Sequence, residues 1–113
     1  GFQNTQSLLQ LEDPPTAIIA SNDLMAFGAM DAARAAGLTI GRDLSIVGFD
    51  DIYMASQTYP PLTTIRQPLS EMGEVALDTL IMLLEGRTVL TRRRELPTEL
   101  IVRETTGRAP QGV

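Results

Sequence analysis

The sequence predicts an α/β fold built on parallel strands, and three observations carry that prediction. Thr16 to Ala20 and Ser45 to Phe49 are continuous apolar runs without polar alternation, the pattern of strands buried on both faces. One helix-length segment lies between them, as a right-handed β-α-β crossover requires. Both runs stop abruptly in small, amide and carboxylate side chains, Ser21-Asn22-Asp23 and Asp50-Asp51. Open α/β sheets bind ligands outside the carboxyl ends of their strands. Asn22 and Asp50 are therefore expected to face one crevice, where an amide and a carboxylate suit a polyhydroxylated or amide-bearing small molecule.

Each element has a local reason. Phe2, Leu8, Leu9 and Leu11 mark a weakly amphipathic first helix, closed by Pro14-Pro15. After the first strand, Ser21 or Asn22 caps a helix reaching Ala36, and Gly37 is a left-handed terminator. Leu38 to Leu44 forms a loop around Gly41 before the second strand. Asp51 to Pro61 is a long polar and aromatic loop, and Leu62 to Ile65 a short third strand. Pro68 and Ser70 open the clearest helix: Glu71 and Glu74 sit near its positive end, apolar residues recur at Met72, Val75, Ala76, Leu80, Leu83 and Leu84, and Gly86 ends it. Met72 and Met82 read as core or near-core residues of that helix. Leu96 to Val102 is a last strand interrupted by Pro97, and residues 107–113 read as a disordered tail.

Composition removes several classes of chemistry. The chain has 113 residues, of which 43% are hydrophobic, enough for one small core. It lacks cysteine and histidine, and all nine basic residues are arginine. No thiolate, imidazole or lysine is thus available as nucleophile, base or metal ligand. A formal net charge of −5 argues against nucleic-acid binding by this chain itself. No apolar run approaches a membrane span, no signal-peptide pattern opens the chain, and a start at Gly1 suggests an excised piece of a longer protein.

The competing readings of the polar clusters differ in strength. Asp50-Asp51 at a strand end resembles a Mg²⁺-holding acid pair of phosphotransfer domains, yet those also need a lysine. The first strand leads into Ser-Asn-Asp rather than a glycine-rich phosphate loop. Asp51 and Asp23 read best as caps of a turn or helix, Asn22 and Asp50 as ligand contacts. On the helix from Asp23 to Ala36, the small residues Gly28, Ala29, Ala32 and Ala36 share one face with Met25. Asp23, Asp31 and Arg34 mark the wet face, where Phe27 and the neighbouring Met30 suggest a contact with another chain; packing against the loop of Tyr53 and Tyr59 is the alternative. Arg92-Arg93-Arg94 reads as a solvated connection.

Taken together, these segments closely resemble the lactose-repressor/galactose-repressor (LacI/GalR) family of bacterial transcription regulators. The resemblance runs through Pro15-Thr16-Ala17-Ile18-Ile19-Ala20-Ser21-Asn22-Asp23-Leu24-Met25-Ala26-Phe27-Gly28-Ala29, Ala36-Gly37-Leu38 and Gly41-Arg42-Asp43-Leu44-Ser45-Ile46-Val47-Gly48-Phe49-Asp50-Asp51. It continues through Pro61-Leu62-Thr63-Thr64-Ile65-Arg66-Gln67-Pro68, Met72-Gly73 and Leu96-Pro97 to Leu100-Ile101-Val102-Arg103-Glu104-Thr105-Thr106. It implies the periplasmic-binding-protein-like type I fold, here a partial, C-terminal portion with a three-layer parallel-sheet lobe. Residues 1–67 would be the C-terminal effector-binding lobe, 68–95 a helix and loop belonging to the N-terminal lobe, 96–106 a returning strand and 107–113 a tail. The resemblance carries the ligand contacts onto Asn22 and Asp50, adds Gln67 as a further polar cleft residue, and assigns a dimer surface to Phe27 and the loop around Thr58.

The function it implies is sensing of a small effector, a sugar or sugar derivative, by a cytoplasmic homodimeric regulator. Operator DNA would be bound by an N-terminal headpiece outside this chain, with no catalysis, cofactor, metal or membrane partner. A sugar-binding protein of a transporter shares the fold and is the alternative; Phe27 speaks against it, because a monomeric receptor has no use for an aromatic ring on that face. The apolar stripe of the helix at Ser70 to Glu85 would lack its native cover, so pairing of two copies through it is expected.

Overall fold

The computed structural model describes residues 1–111, which divide into two bodies: Gly1–Arg66 with the segment from Leu100 onward, and Gln67–Glu99. In the first body the elements run α1 (Phe2–Leu9), β1 (Ala17–Ile19), α2 (Asp23–Ala35), β2 (Ser45–Val47), a 3-10 turn (Tyr53–Ser56) and β3 (Thr64–Arg66). The second holds α3 (Leu69–Leu84), and β4 (Glu99–Ile101) returns to the first and pairs with β3.

β1 and β2 are parallel, in the register Ala17 to Ser45, Ile18 to Ile46 and Ile19 to Val47. The other edge of β2 and its extension is also satisfied: Gly48 N–H donates to Thr63 O and Asp50 N–H to Ile65 O, each at 2.9 Å, while Ile46 N–H donates to Thr105 O at 2.8 Å. Ile46 is accordingly buried outright, with Leu44 and Leu62. α2 covers them with Ala26, Ala29, Met30 and Ala33. Small side chains let α2 lie close, and on its other flank α1 comes closer still. A Cβ added at Gly28 would stand 2.7 Å from Phe2 N, so this contact is backbone against backbone.

The ends of α2 follow from local chemistry. Asn22 is extended (φ −156°) and its Oδ1 accepts from Met25 N–H at 2.9 Å, an N-cap worth about 1 kcal/mol. Gly37 takes φ +74°, and Gly37 and Leu38 N–H donate back to Arg34 O and Ala33 O.

Three sequence expectations are corrected here. β1 is not buried on both faces: Ile19 is 83% exposed and Ala17 on the same face is exposed too, because that face is left uncovered. Asp23 does not belong to a wet face. It is 1% exposed, since the first turn of α2 abuts the strand ends. The chain is also anchored past Thr106: Gly107 N–H donates to Ser45 Oγ at 3.1 Å, and a Cβ on Gly107 would collide with Gly41 O. Residues 112–113 of the expected tail lie outside the described residues.

In the second body α3 has Glu71 in its first turn and Gly86 (φ +72°) after its last. None of its residues is buried. Met72 is thus no core residue, and Leu77, Leu80, Leu83 and Leu84 are all more than half exposed. An open cavity of about 350 Å³ separates α3 from the 91–98 segment, lined by Gln67, Met72, Thr79, Arg92, Arg94 and Leu96. Arg93 pairs with Glu95 at 2.7 Å in solvent. Among the described residues no helix is long and apolar enough to cross a membrane.

Candidate ligand crevice at the strand ends

The carboxyl ends of β1 and β2 are joined by a compact hydrogen-bond network. Asp23 N–H donates to Phe49 O at 2.9 Å, so the residue after Asn22 is bonded to the residue before Asp50. The Asp23 carboxylate continues the junction: Oδ2 accepts from Ile52 N–H at 2.8 Å and Oδ1 from Thr64 Oγ1 at 2.6 Å. A buried carboxylate is tolerable only when its oxygens are supplied with donors. Here the two donors come from the loop after β2 and from β3, so one side chain pins three strand ends. Gly48 is required beside it, because a Cβ there would strike Asp23 Oδ1 and come within 2.9 Å of Leu62 Cδ2.

Asp50 and Asp51 have φ of +116° and +54°. Such values cost non-glycine residues about 1–3 kcal/mol each and persist only where the surroundings over-determine them. The determinants are visible. Asp50 N–H is held by Ile65 O, and Asp51 carries two arginines: Oδ1 accepts from Arg103 Nη2 and Oδ2 from Arg66 Nε, both at 2.7 Å. The Asp51 side chain is 7% exposed. Burial pushes its pKa up, but the hydrogen bonds and charges of Arg103 and Arg66 outweigh this and hold it below the usual carboxylate value. Asp51 is therefore the centre of an ion triad that joins the β2 end to β3 and to the segment after β4. Arg103 Nη1 also donates to Leu62 O at 2.9 Å.

The predicted residues thus have distinct surroundings. Asn22 and Asp50, both partly buried, lie one residue to either side of the Asp23–Phe49 hydrogen bond. The Asn22 side-chain oxygen is used by the α2 cap, and its amide nitrogen takes no part in that bond. Gln67 opens the second body and lines its cavity. Phe27 is partly buried against the core. Met30 is 1% exposed and so has no surface to offer a partner; the turn of α2 that would present it is folded onto the sheet. Thr58 Oγ1 donates within its own loop to Pro60 O at 2.9 Å. That loop exposes Tyr53 and Tyr59, and Arg34 of α2 donates to Tyr59 O, so α2 and the loop share a surface.

Sequence reasoning missed the network behind the crevice. Asp23 and Asp51 read from the sequence as simple caps, and nothing in the pattern marks the side chains of Thr64, Arg66 and Arg103 as their partners. The available signal was two adjacent acids at a strand end in a chain whose only cations are arginines, the side chain suited to paired carboxylates.

Comparison with known proteins gives a consistent result. Residues 2–106 match the family described as the periplasmic binding protein-like domain. The HTH-type transcriptional repressor CytR of Escherichia coli (strain K12) is 42% identical over 110 residues, 97% of this chain and 32% of that protein. A lactose operon repressor of Rhizobium radiobacter is 47% identical over 103 residues, 91% of this chain and 90% of the matched sequence. A crystal structure of the Lac repressor dimer bound to operator and the anti-inducer ONPF superposes with a TM-score of 0.87 at 40% identity, covering 95% of this chain and 37% of that one. The chain spans about a third of the length of the CytR it matches. With its parallel strands, its crevice-side network and these relatives, the chain belongs to the periplasmic binding protein-like domain family, in the branch of the LacI/GalR regulators.

Proposed function

We propose that this chain is the C-terminal part of the effector-sensing and dimerisation module of a cytoplasmic, DNA-binding transcription regulator, and that it carries out no catalysis. Residues 1–67 contribute the C-terminal lobe's side of the pocket, residues 68–95 pack in the N-terminal lobe of the intact protein, and 96–106 return. The ligand is a sugar or sugar derivative, met by Asn22, Asp50 and Gln67. Phe27 and the loop around Thr58 face the second copy of a homodimer, and operator DNA is held by a headpiece outside this chain. The observation that carries the reading is the hydrogen-bonded junction of two parallel strand ends, with Asn22 and Asp50 on either side of it. The repressor names of the relatives favour a regulator over a transporter's binding protein.

Effector binding works here by differential affinity. A ligand that hydrogen-bonds Asn22 and Asp50 only in a closed arrangement of the lobes shifts the population toward closure by that difference. Calorimetric titration of the intact regulator with a panel of sugars, and of its Asn22→Ala and Asp50→Ala variants with the sugar that binds, tests the site. Each substitution should weaken binding by about one to two decades, Asp50→Ala more, since a carboxylate makes the stronger bonds. Operator affinity without effector should stay the same. Unchanged sugar affinity in both variants overturns the assignment.

A further inference from the structure

We propose that Asp23 is a positioning residue: its carboxylate and its own amide hold the Asn22 end of β1 against the segment that carries Asp50, and so set the spacing of the two pocket groups. The inference rests on the reading of Asn22 and Asp50 as ligand contacts. It adds a residue that is 1% exposed and therefore acts through its neighbours, with no surface of its own for a ligand.

The ladder of β1 and β2 leaves that spacing loose. Its last bond before the strand ends runs from Ala20 N–H to Val47 O, short of both Asn22 and Asp50. Asp50 is secured toward β3, by its N–H to Ile65 O and by a backbone bridge with Arg66. The hydrogen bonds of Asn22 run instead into its own helix, with Oδ1 accepting from Met25 N–H and the backbone carbonyl from Ala26 N–H. Asp23 joins these two assemblies. Its N–H donates to Phe49 O and its Oδ2 accepts from Ile52 N–H, so it grips the stretch Phe49–Ile52 at both ends, with Asp50 inside it. Its Oδ1 accepts from Thr64 Oγ1, in the same strand that receives the Asp50 amide. Substituting Asp23 therefore leaves Asp50 tied to β3 and frees the Asn22 end to move relative to it. An acid that merely capped α2 would bond amides of its own first turn. Both donors to the Asp23 carboxylate come instead from other segments, 29 and 41 positions along the chain.

Native-state amide exchange on the 113-residue chain, followed by NMR without any ligand, decides the matter. The amide of residue 23 reports the closure of the two strand ends, since it is bonded to Phe49 O. The Asp50 and Ile46 amides, bonded to Ile65 O and Thr105 O, are the references. Asp23→Ala removes both side-chain bonds and should lower the protection of amide 23 at least about tenfold relative to both references. Asp23→Asn should restore most of it, because its side-chain oxygen can accept from Ile52 N–H while its amide nitrogen donates to the Thr64 hydroxyl. Thr64→Val, which leaves the Ile52 bond in place, should give a smaller loss in the same direction, and it carries the test if Asp23→Ala does not fold. Equal losses at all three amides would mean that Asp23 supports the body as a whole. No loss at amide 23, or an Asp23→Asn chain as unprotected there as Asp23→Ala, would mean that these bonds do not hold the strand ends together. Each of these results overturns the proposal. Failure of the ligand reading shows up separately, as unchanged sugar affinity in Asn22→Ala and Asp50→Ala with the exchange result intact.

Discussion

The two bodies of this chain use apolar residues in opposite ways. In the first, Ala26, Ala29, Met30, Leu44, Ile46 and Leu62 are all buried to within 1% of full coverage, and the polar groups beneath the crevice find partners. In the second, the 16 residues of α3 include seven leucine, isoleucine or methionine side chains exposed by 41% or more. The contrast teaches where specificity is stored. One body has a closed core that can hold charged groups at fixed angles; the other is a helix whose apolar stripe is left exposed. Each leucine half or more in water there forgoes a large part of the about 1.5–3 kcal/mol that full burial supplies.

The sharpest way to break this comparison is to truncate one apolar residue in each body. Ile46→Ala should cost about 2–5 kcal/mol in urea unfolding, through lost transfer energy and the cavity left in a packed site. Leu84→Ser, at a position 79% exposed, should stay within about 0.5 kcal/mol. Comparable losses would mean that Leu84 is packed as fully as the first body's core. Next in size is Asp23→Ala, which strands Ile52 N–H and the Thr64 hydroxyl and should cost about 1–3 kcal/mol in the same assay.

A smaller effect appears on acidification. Asp51 has a folded pKa below its usual value of 3.8, so its contribution is complete above that value. It is lost as pH falls from there through the folded pKa. Thermal unfolding of the wild type should weaken across that window more steeply than that of Asp51→Asn. Asp43 titrates in the same range, lowered to about 2 by the hydrogen bond from Arg42 and then by that from Thr39 N–H, and it must be subtracted with Asp43→Asn. In the second body, Leu80→Ser with Leu84→Ser should reduce self-association in sedimentation while leaving the first body's unfolding unchanged. Smallest of all, Arg93→Ala should alter stability by less than about 0.5 kcal/mol, its partner Glu95 being mostly in water.

What the sequence disclosed follows the same division. The parallel pairing of β1 with β2, the start of α2 at Asn22 and its stop at Gly37 were legible, because periodicity, caps and terminators are local properties. So was the unmet stripe of α3. The burial of Asp23, the triad around Asp51 and the inward turn of Met30 were not. Each depends on segments far apart in the chain: Asp51 meets Arg103 across 52 positions, and Thr64 meets Asp23 across 41. Exposure of Ile19 was likewise hidden, since an apolar run does not tell whether its second face has a cover. The two strand endings that carry Asn22 and Asp50 were legible; the hydrogen-bond network that joins them was not.

Thr105 bears on how the molecule comes to be made. Its hydroxyl donates to Ile46 O at 2.6 Å and accepts from Thr63 N–H at 2.9 Å, and its carbonyl takes the Ile46 amide. The Thr105 side chain therefore bonds a strand laid down more than fifty residues earlier. The whole second body intervenes in the sequence before that closure. On the ribosome the Ile46 amide and carbonyl must wait for residues 103–107 to emerge, and such long-range closure is slow relative to local helix formation. During that interval the Ile46 backbone groups are open to foreign strands. Chaperone dependence during synthesis should thus be set by the arrival of residues 103–107, and a stop codon just before Thr105 should yield aggregation rather than a shorter folded protein.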